Sequence, residues 1–244
     1  MVASIEARMG SSRLPGKVLM DISGVPALSR LLERLRAVPN VDDIVLATST
    51  YFGDDVLCDW ANSEGVRVWR GSEDDVLQRV VEAHRSTETD IVVEITGDCP
   101  LICPEVIELA VETYHANRAD VVANVVQPSS YPQGTDVQVY AFSLLEDVER
   151  RIDDPAVREH VSLYFYENPE IYRLLNLVAP ASCRMPRQRL QLDYPEDLEC
   201  IRRIYEHLLP KHGSVFGLEA ITRLLRDHPE IAALNAGCEE KAPR

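Results

Sequence analysis

Short runs of apolar, often β-branched residues alternate along the chain with longer stretches in which leucine and valine recur every three or four positions. "MVASIEA", "DIVLAT", "VRVWR", "DIVVEITG" and "ADVVANVV" read as strands by this pattern. Between them, "VPALSRLLERLRAV" sets Leu28, Leu31, Leu32, Leu35 and Val38 on one helical face, with Pro26 near its start. "DDVLCDWANSEG" reads as a helix closed by Gly65, and "EDDVLQRVVEAHRS" and "PEVIELAVETYHANR" as two more. Repeated strand–helix–strand predicts an α/β fold, a mostly parallel sheet flanked by helices on both faces. Ligands of such sheets sit at the carboxyl ends of the strands. The segments that follow "MVASIEA" and "DIVVEI" are therefore expected at one rim.

From residue 127 the pattern loosens. "QPSSYPQGTDVQVYA" combines turn signals with an alternating strand, and helices are expected around 142–152 and 156–166. "EIYRLLNLVA" and "QRLQL" read as strands. "PEDLECIRRIYEHLL" and "GLEAITRLLRDHP" read as helices that lead to a polar tail. No linker and no internal repeat is visible. The expectation is one domain over 1–244, with 127–188 as an insertion that binds an acceptor or a second subunit.

Composition narrows the class. Apolar residues make up 45% of 244, enough for a folded core. No run approaches the roughly 18 apolar residues that cross a bilayer. No secretory signal opens the chain, so a cytoplasmic protein is expected. Acidic residues outnumber basic ones 40 to 25, which argues against nucleic acid or anionic lipid as a partner. None of the six cysteines forms a C-x-x-C pair and no histidine completes a zinc set, so reduced, buried or incidental thiols are expected. His84, His115, His207, His212 and His228 read as surface helix or loop residues.

In this acidic chain a cationic stretch carries information. "ARMGSSRLPGK" (7–17) holds Arg8, Arg13 and Lys17 with no acidic residue between them. It is not a P-loop: five residues separate Gly10 from Gly16, and Val18 stands where a magnesium-binding Ser or Thr belongs. A G-x-G-x-x-G fingerprint is also absent. What remains is a turn rich in backbone N–H groups and hydroxyls, with three cations that stay charged at neutral pH, suited to a polyphosphate. A metal on that polyphosphate needs carboxylates from elsewhere. Asp98 in "TGDCP" and Asp193 in "QLDYPEDL" are the candidates. Asp98 also fits simple turn chemistry, and Asp193 a helix N-cap with Glu196 three residues on.

"ARMGSSRLPGKVL", "TGDCPLI" and "LDYPEDL", in this order, resemble the cytidylyltransferases that activate sugars, among them the acylneuraminate and deoxy-octulosonate enzymes. "RGSEDDVLQR", "YPQGTDVQV" and "REHVSLYFYENP" resemble the spore-coat polysaccharide branch most closely. The likeness runs from about residue 2 to about residue 208. It implies a nucleotide-diphospho-sugar transferase (Rossmann-like) fold, and a reaction of CTP with a sugar-type acceptor that gives a CMP-linked product and pyrophosphate. It also implies a homodimer. By motif, Arg8, Gly10, Ser11, Ser12, Arg13 and Lys17 would hold the triphosphate, and Asp98 and Asp193 would hold Mg2+. Ser72, Asp75 and Arg79 would lie on the nucleotide side, while Asp136, Arg158 and His160 would meet the acceptor. Catalysis would rest on Arg13, Lys17 and Asp98. Two positions depart from the sialic acid and octulosonate enzymes: Val18 replaces their usual proline, and Thr96 replaces their usual glutamine. Thr96 bears directly on whether the acceptor is a keto-sugar acid. Two rival readings are a same-fold enzyme using another NTP with a sugar 1-phosphate, and a nucleotide-binding module with a degenerate site.

Overall fold

Strand β1 (Val2–Glu6) lies near the centre of the sheet because both of its faces have a buried destination: Val2 and Ser4 on one side, Ala3 and Ile5 on the other. It pairs in parallel with β4 (Asp43–Ser49) and β6 (Ile91–Thr96), and β4 pairs in parallel with β5 (Arg67–Gly71). The computed structural model describes residues 1–126 and 128–239; the first residue of the expected insertion and the end of the polar tail lie outside the described residues. Beyond β6 the sheet becomes mixed. β8 (Gln138–Ala141) runs antiparallel between β6 and β7 (Val121–Ala123), and β9 (Leu174–Asn176) closes that edge in parallel with β7. The strand order is β5-β4-β1-β6-β8-β7-β9. A short antiparallel pair, β2 (Asp21–Ile22) and β3 (Val25–Pro26), precedes the first helix.

Helices cover both faces, as the alternation predicts. On the side of Ala3 and Ile5 pack α1 (Ala27–Leu35), α2 (Asp55–Glu64), α4 (Pro104–Ala116), α8 (Pro195–His212) and α9 (Leu218–Asp227), with α10 (Pro229–Ala232) beyond them. Leu28, Leu31, Leu32 and Leu35 are all buried, each contributing about 1.5–3 kcal/mol by transfer from water. Arg34 is buried on the same helix. Its charge is met by carbonyls, with Nε donating to Ile102 (2.5 Å), Nη1 to Ser214 (3.0 Å) and Nη2 to Phe216 (2.6 Å). On the side of Val2 pack α3 (Val76–Ser86), α5 (Phe142–Arg151), α6 (Pro155–Glu159) and α7 (Leu163–Glu167).

The loosened half differs from expectation in detail. The helix expected over 156–166 is two short helices, α6 and α7, because the chain turns at 160–162 and sends the Ser162 hydroxyl to Glu94. "EIYRLLNLVA" contributes only the three residues that reach β7. "QRLQL" is not a strand. It forms an isolated parallel bridge between Arg189 and Gln133, outside the named strands.

His84 corrects a sequence reading. It is fully buried on α3, with Nδ1 bonded to the Thr89 hydroxyl at 3.1 Å. Burial pushes its pKa down from 6.5 to about 3. The unfolded chain therefore binds a proton between those values that the folded chain does not, so stability is full above pH 6.5 and falls as the pH drops towards 3. The expected slope is about 1.4 kcal/mol per pH unit for this group. In His84→Leu the acid limb of a urea-denaturation series between pH 6.5 and 4 should be flatter by that amount.

Candidate active site

The cationic loop and the Asp98 turn lie side by side because β1 and β6 end together. Gly97 N–H donates to the Glu6 carbonyl at 2.8 Å, and a Cβ on Gly97 would stand 2.8 Å from that oxygen and from Ala7 Cβ. Only glycine allows this approach. The loop itself is folded on the Met9 carbonyl, which accepts from Ser11 N (3.0 Å) and Gly16 N (3.1 Å), while Ser11 Oγ accepts from Leu14 N. Its start is pinned by Asp54, which the sequence did not single out. Asp54 is buried in the short turn that joins β4 to α2, and Oδ1 accepts from Met9 N at 2.7 Å while Oδ2 accepts from Ser49 N and Oγ.

Lys17 points from the loop to the two aspartates 81 and 176 residues away. Its Nζ donates to Asp98 Oδ2 at 2.6 Å and to Asp193 Oδ1 at 2.7 Å. Arg13 Nη2 reaches the same Asp193 oxygen at 2.8 Å, and its guanidinium lies over the Tyr194 ring. Gln191 Nε2 donates to Asp98 Oδ2 at 3.1 Å. Burial alone would raise the Asp98 carboxyl, but the Lys17 ammonium and the Gln191 amide outweigh it and hold the group below the ordinary carboxylate range. Burial would likewise depress Lys17, and the two carboxylates reverse that and raise it. The hydrogen bond to Asp193 raises Arg13.

Two carboxylate oxygens thus converge on one cation, supplied here by the lysine. That donor set fits Mg2+, which typically takes one or two protein carboxylates and completes its shell with phosphate oxygens and water. Among the described residues no group of three or more His, Cys, Asp or Glu stands ready to hold a metal. The pair therefore fits an ion that arrives with a phosphate ligand better than a resident structural metal.

Asp193 is not the helix cap that its position allowed. α8 starts one residue later, and Asp197 takes the capping role, its Oδ2 accepting from Asp193 N and Tyr194 N at 3.0 Å each. This frees the Asp193 carboxylate to face Lys17. Behind it, buried Arg189 donates to Asp197 (3.1 and 3.2 Å) and to Asp193 Oδ2 (3.4 Å). Asn235, from the segment after α10, donates to Asp197 Oδ1 (2.8 Å) and to the Arg189 carbonyl (3.0 Å). Arg189, Gln191, Asp197 and Asn235 have no local sequence signature. They are found only when the segment 188–197 is seen folded against the rim.

The turn "YPQGTD" belongs to this support. It is held to that segment by Gln133 N to Gln188 O (3.0 Å) and Leu190 N to Gln133 O (2.7 Å). Gly134 has φ +87°, and a Cβ there would lie 2.4 Å from Gln191 N and 2.6 Å from the Leu190 carbonyl carbon. Gly134→Ala should therefore cost about 2–4 kcal/mol in chemical denaturation and displace Gln191 and Asp193. A turnover loss beyond that expected from the folded fraction is the check.

The remaining predicted residues are placed as follows. Arg8 Nη1 reaches the Glu73 carbonyl at 3.2 Å, and Gly10 and Ser12 are exposed on the loop. Ser72 Oγ accepts from Asp75 N, and Asp75 caps α3 by accepting from Gln78 N. Buried Arg79 donates from Nη1 to the carbonyls of Ser72 and Glu73. Asp136 Oδ2 accepts from Gly134 N, and its charge reaches Cys99 beside Asp98. Arg158 pairs with Glu149 (3.3 Å), Asp75 (3.5 Å) and Asp153 (3.6 Å), none of which belongs to the Lys17 cluster. His160 closes α6 through its backbone.

Cations interleaved with carboxylates at the carboxyl ends of a parallel sheet are equipment for polyphosphates, and together with this fold they mark a nucleotidyltransferase. Comparison with known proteins narrows the class. The chain belongs to the cytidylyltransferase family, which it matches over residues 2–218. It is 34% identical to the spore coat polysaccharide biosynthesis protein SpsF of Bacillus subtilis, over 93% of this chain and 95% of that protein. It is 30% identical to the 3-deoxy-manno-octulosonate cytidylyltransferase of Chloroherpeton thalassium, over 78% and 82%. Among solved structures, a cytidylyltransferase from Leptospira borgpetersenii superposes with a TM-score of 0.89 at 29% identity, over 99% of this chain and 98% of that one. The family and fold expected from the three motifs are those found.

Proposed function

We propose that the protein is a Mg2+-dependent cytidylyltransferase that transfers CMP from CTP to a sugar-type acceptor and releases pyrophosphate, in the biosynthesis of a surface polysaccharide or glycoconjugate. The observation that carries this is Lys17 joining Asp98 and Asp193, which brings the three motifs to one point. The Bacillus and Chloroherpeton relatives support the sugar class of the acceptor. The proposed compartment is the cytoplasm; among the described residues no helix is long and apolar enough to cross a membrane. A homodimer is part of the proposal, and the exposed Ile171, Leu175 and Val178 around edge strand β9 would offer it a surface.

The reaction is attack of an acceptor oxygen on the α-phosphorus, with pyrophosphate leaving in line. Positioning and charge neutralisation do most of the work in such a transfer. The N–H groups of Gly10, Ser12 and Arg13 and the cations of the loop would hold the triphosphate. Arg13 and Lys17 face the β- and γ-phosphates, where negative charge grows. Lys17 can turn to them once the carboxylates have another cation. Asp98 and Asp193 would hold the magnesium, with Arg189 and Gln191 fixing the carboxylates. Bound there, Mg2+ would neutralise the α-phosphate and lower the pKa of the attacking oxygen. The test is a pyrophosphate-release screen of the four NTPs against a panel of acidic sugars, with magnesium present or withheld. CTP alone should support turnover, and only with magnesium. Preference for another NTP, or no pyrophosphate from any pair, overturns the proposal.

A further inference from the structure

On the α3 side of the sheet, two buried polar atoms within electrostatic reach of each other have no hydrogen-bond partner among the described residues. One is Oε1 of Glu6 at the carboxyl end of β1, and the other is the Nε of Arg79. Arg79 is 2% exposed, and its Nη1 is already taken by the carbonyls of Ser72 and Glu73, so its Nε–H is a fixed, unused donor. Glu6 is an unused acceptor. On the same face Glu94 is satisfied by the hydroxyls of Tyr140 and Ser162, whereas the fully buried Ser4, in register with Glu94, has an unpartnered Oγ.

This arrangement costs the fold stability. Burial, then the charge of Glu94, holds the Glu6 carboxyl well above the usual range, with Arg79 opposing them. A buried acceptor and a buried donor left open within electrostatic reach of each other call for a group that is both donor and acceptor. A phosphate or carboxylate offers no hydrogen to the open Glu6 oxygen, and an ammonium would be repelled by Arg79. A hydroxyl satisfies both.

We infer that Glu6 and Arg79 bind one sugar hydroxyl of a substrate, with Glu6 Oε1 accepting from the hydroxyl and Arg79 Nε donating to it. The place suits a substrate at the reacting centre. Glu6 directly precedes the phosphate loop, pairs in register with Thr96, and is acted on by the charge of Asp98. The inference rests on the cytidylyl-transfer proposal, which brings two polyhydroxylated partners to this rim: the ribose of CTP and the acceptor.

Glu6→Gln replaces the carboxyl with an amide and keeps the shape. Its melting temperature should equal or exceed that of the wild type, since an unpaired buried carboxyl is lost. Calorimetric titration with CTP, 2′-deoxy-CTP and 3′-deoxy-CTP in the presence of Mg2+ tests the ribose. A wild type that binds CTP at least about tenfold more tightly than one deoxy analogue, against a variant that binds both alike, assigns the hydroxyl to the nucleotide. Initial rates with the acidic sugars of the pyrophosphate screen, 3-deoxy-manno-octulosonate among them, test the acceptor. A KM raised about tenfold or more, with unchanged CTP affinity, assigns it there. Unchanged ribose discrimination together with unchanged acceptor KM overturns the inference, as does equal loss of all ligands with a lowered melting temperature. A wild type that neither binds CTP nor releases pyrophosphate from it overturns the cytidylyl-transfer proposal itself, and this inference with it.

Discussion

Asp98→Asn is expected to abolish pyrophosphate release and leave the protein folded. The exchange keeps the shape of the side chain and the turn around it, including Gly97 N–H on the Glu6 carbonyl and Leu192 N–H on the carbonyl of residue 98. Lys17 retains Asp193 as its counter-ion, so the cost to stability should stay near 1–3 kcal/mol, the scale for one charged hydrogen bond. The chemistry has no such reserve. One of two carboxylates that face the triphosphate is neutralised, and an amide N–H is aimed where a cation is needed. We expect turnover to fall by at least roughly 10³-fold. Circular dichroism melts and a pyrophosphate assay on the same preparation separate the two effects. A variant with near-normal turnover would remove Asp98 from the mechanism.

Lys17→Ala has the second largest expected effect, a fall in turnover of roughly 10²–10³. It also has a signature without substrate. In the wild type the Asp98 carboxyl is held low, so its contribution to stability is present above the usual carboxylate range and is lost as the pH falls through it. Without the ammonium, burial dominates and the carboxyl shifts upward, so its contribution is lost as the pH rises instead. The melting temperature of the variant should therefore trail that of the wild type more at pH 7.5 than at pH 4.5. Mg2+ added without nucleotide should narrow the gap at the higher pH. A gap that is the same at both pH values would show that Lys17 does not neutralise this pair.

The legible part of this protein was its repeating part. Short apolar runs placed β1, β4, β5 and β6, and a period of three to four placed the large helices, because each of those helices buries one continuous face. Asp98 could be named because it follows β6 at the rim, and Asp193 because it stands just before α8 after a stretch that reads as a strand. What the sequence concealed is contact between distant segments. Asp54 looks like the first residue of a helix, yet it anchors the phosphate loop. Arg189 and Gln191 sit in a stretch that reads as a strand, yet they hold the site's carboxylates. His84 looks like a solvent-facing residue near the end of α3 and is buried, because α5 packs over that turn. Arg158 stands on a segment like those of the sugar-activating enzymes, but its guanidinium is shared among three acids.

Asn235 has a practical consequence. The family pattern ends at residue 218, but the amide that steadies Asp197 and Arg189 comes from seventeen residues further along the chain. Trimming the polypeptide to the matching portion would strip the far side of the aspartate loop while leaving every motif in place. Such a shortened enzyme would keep its signature and lose the bracing that makes the signature work.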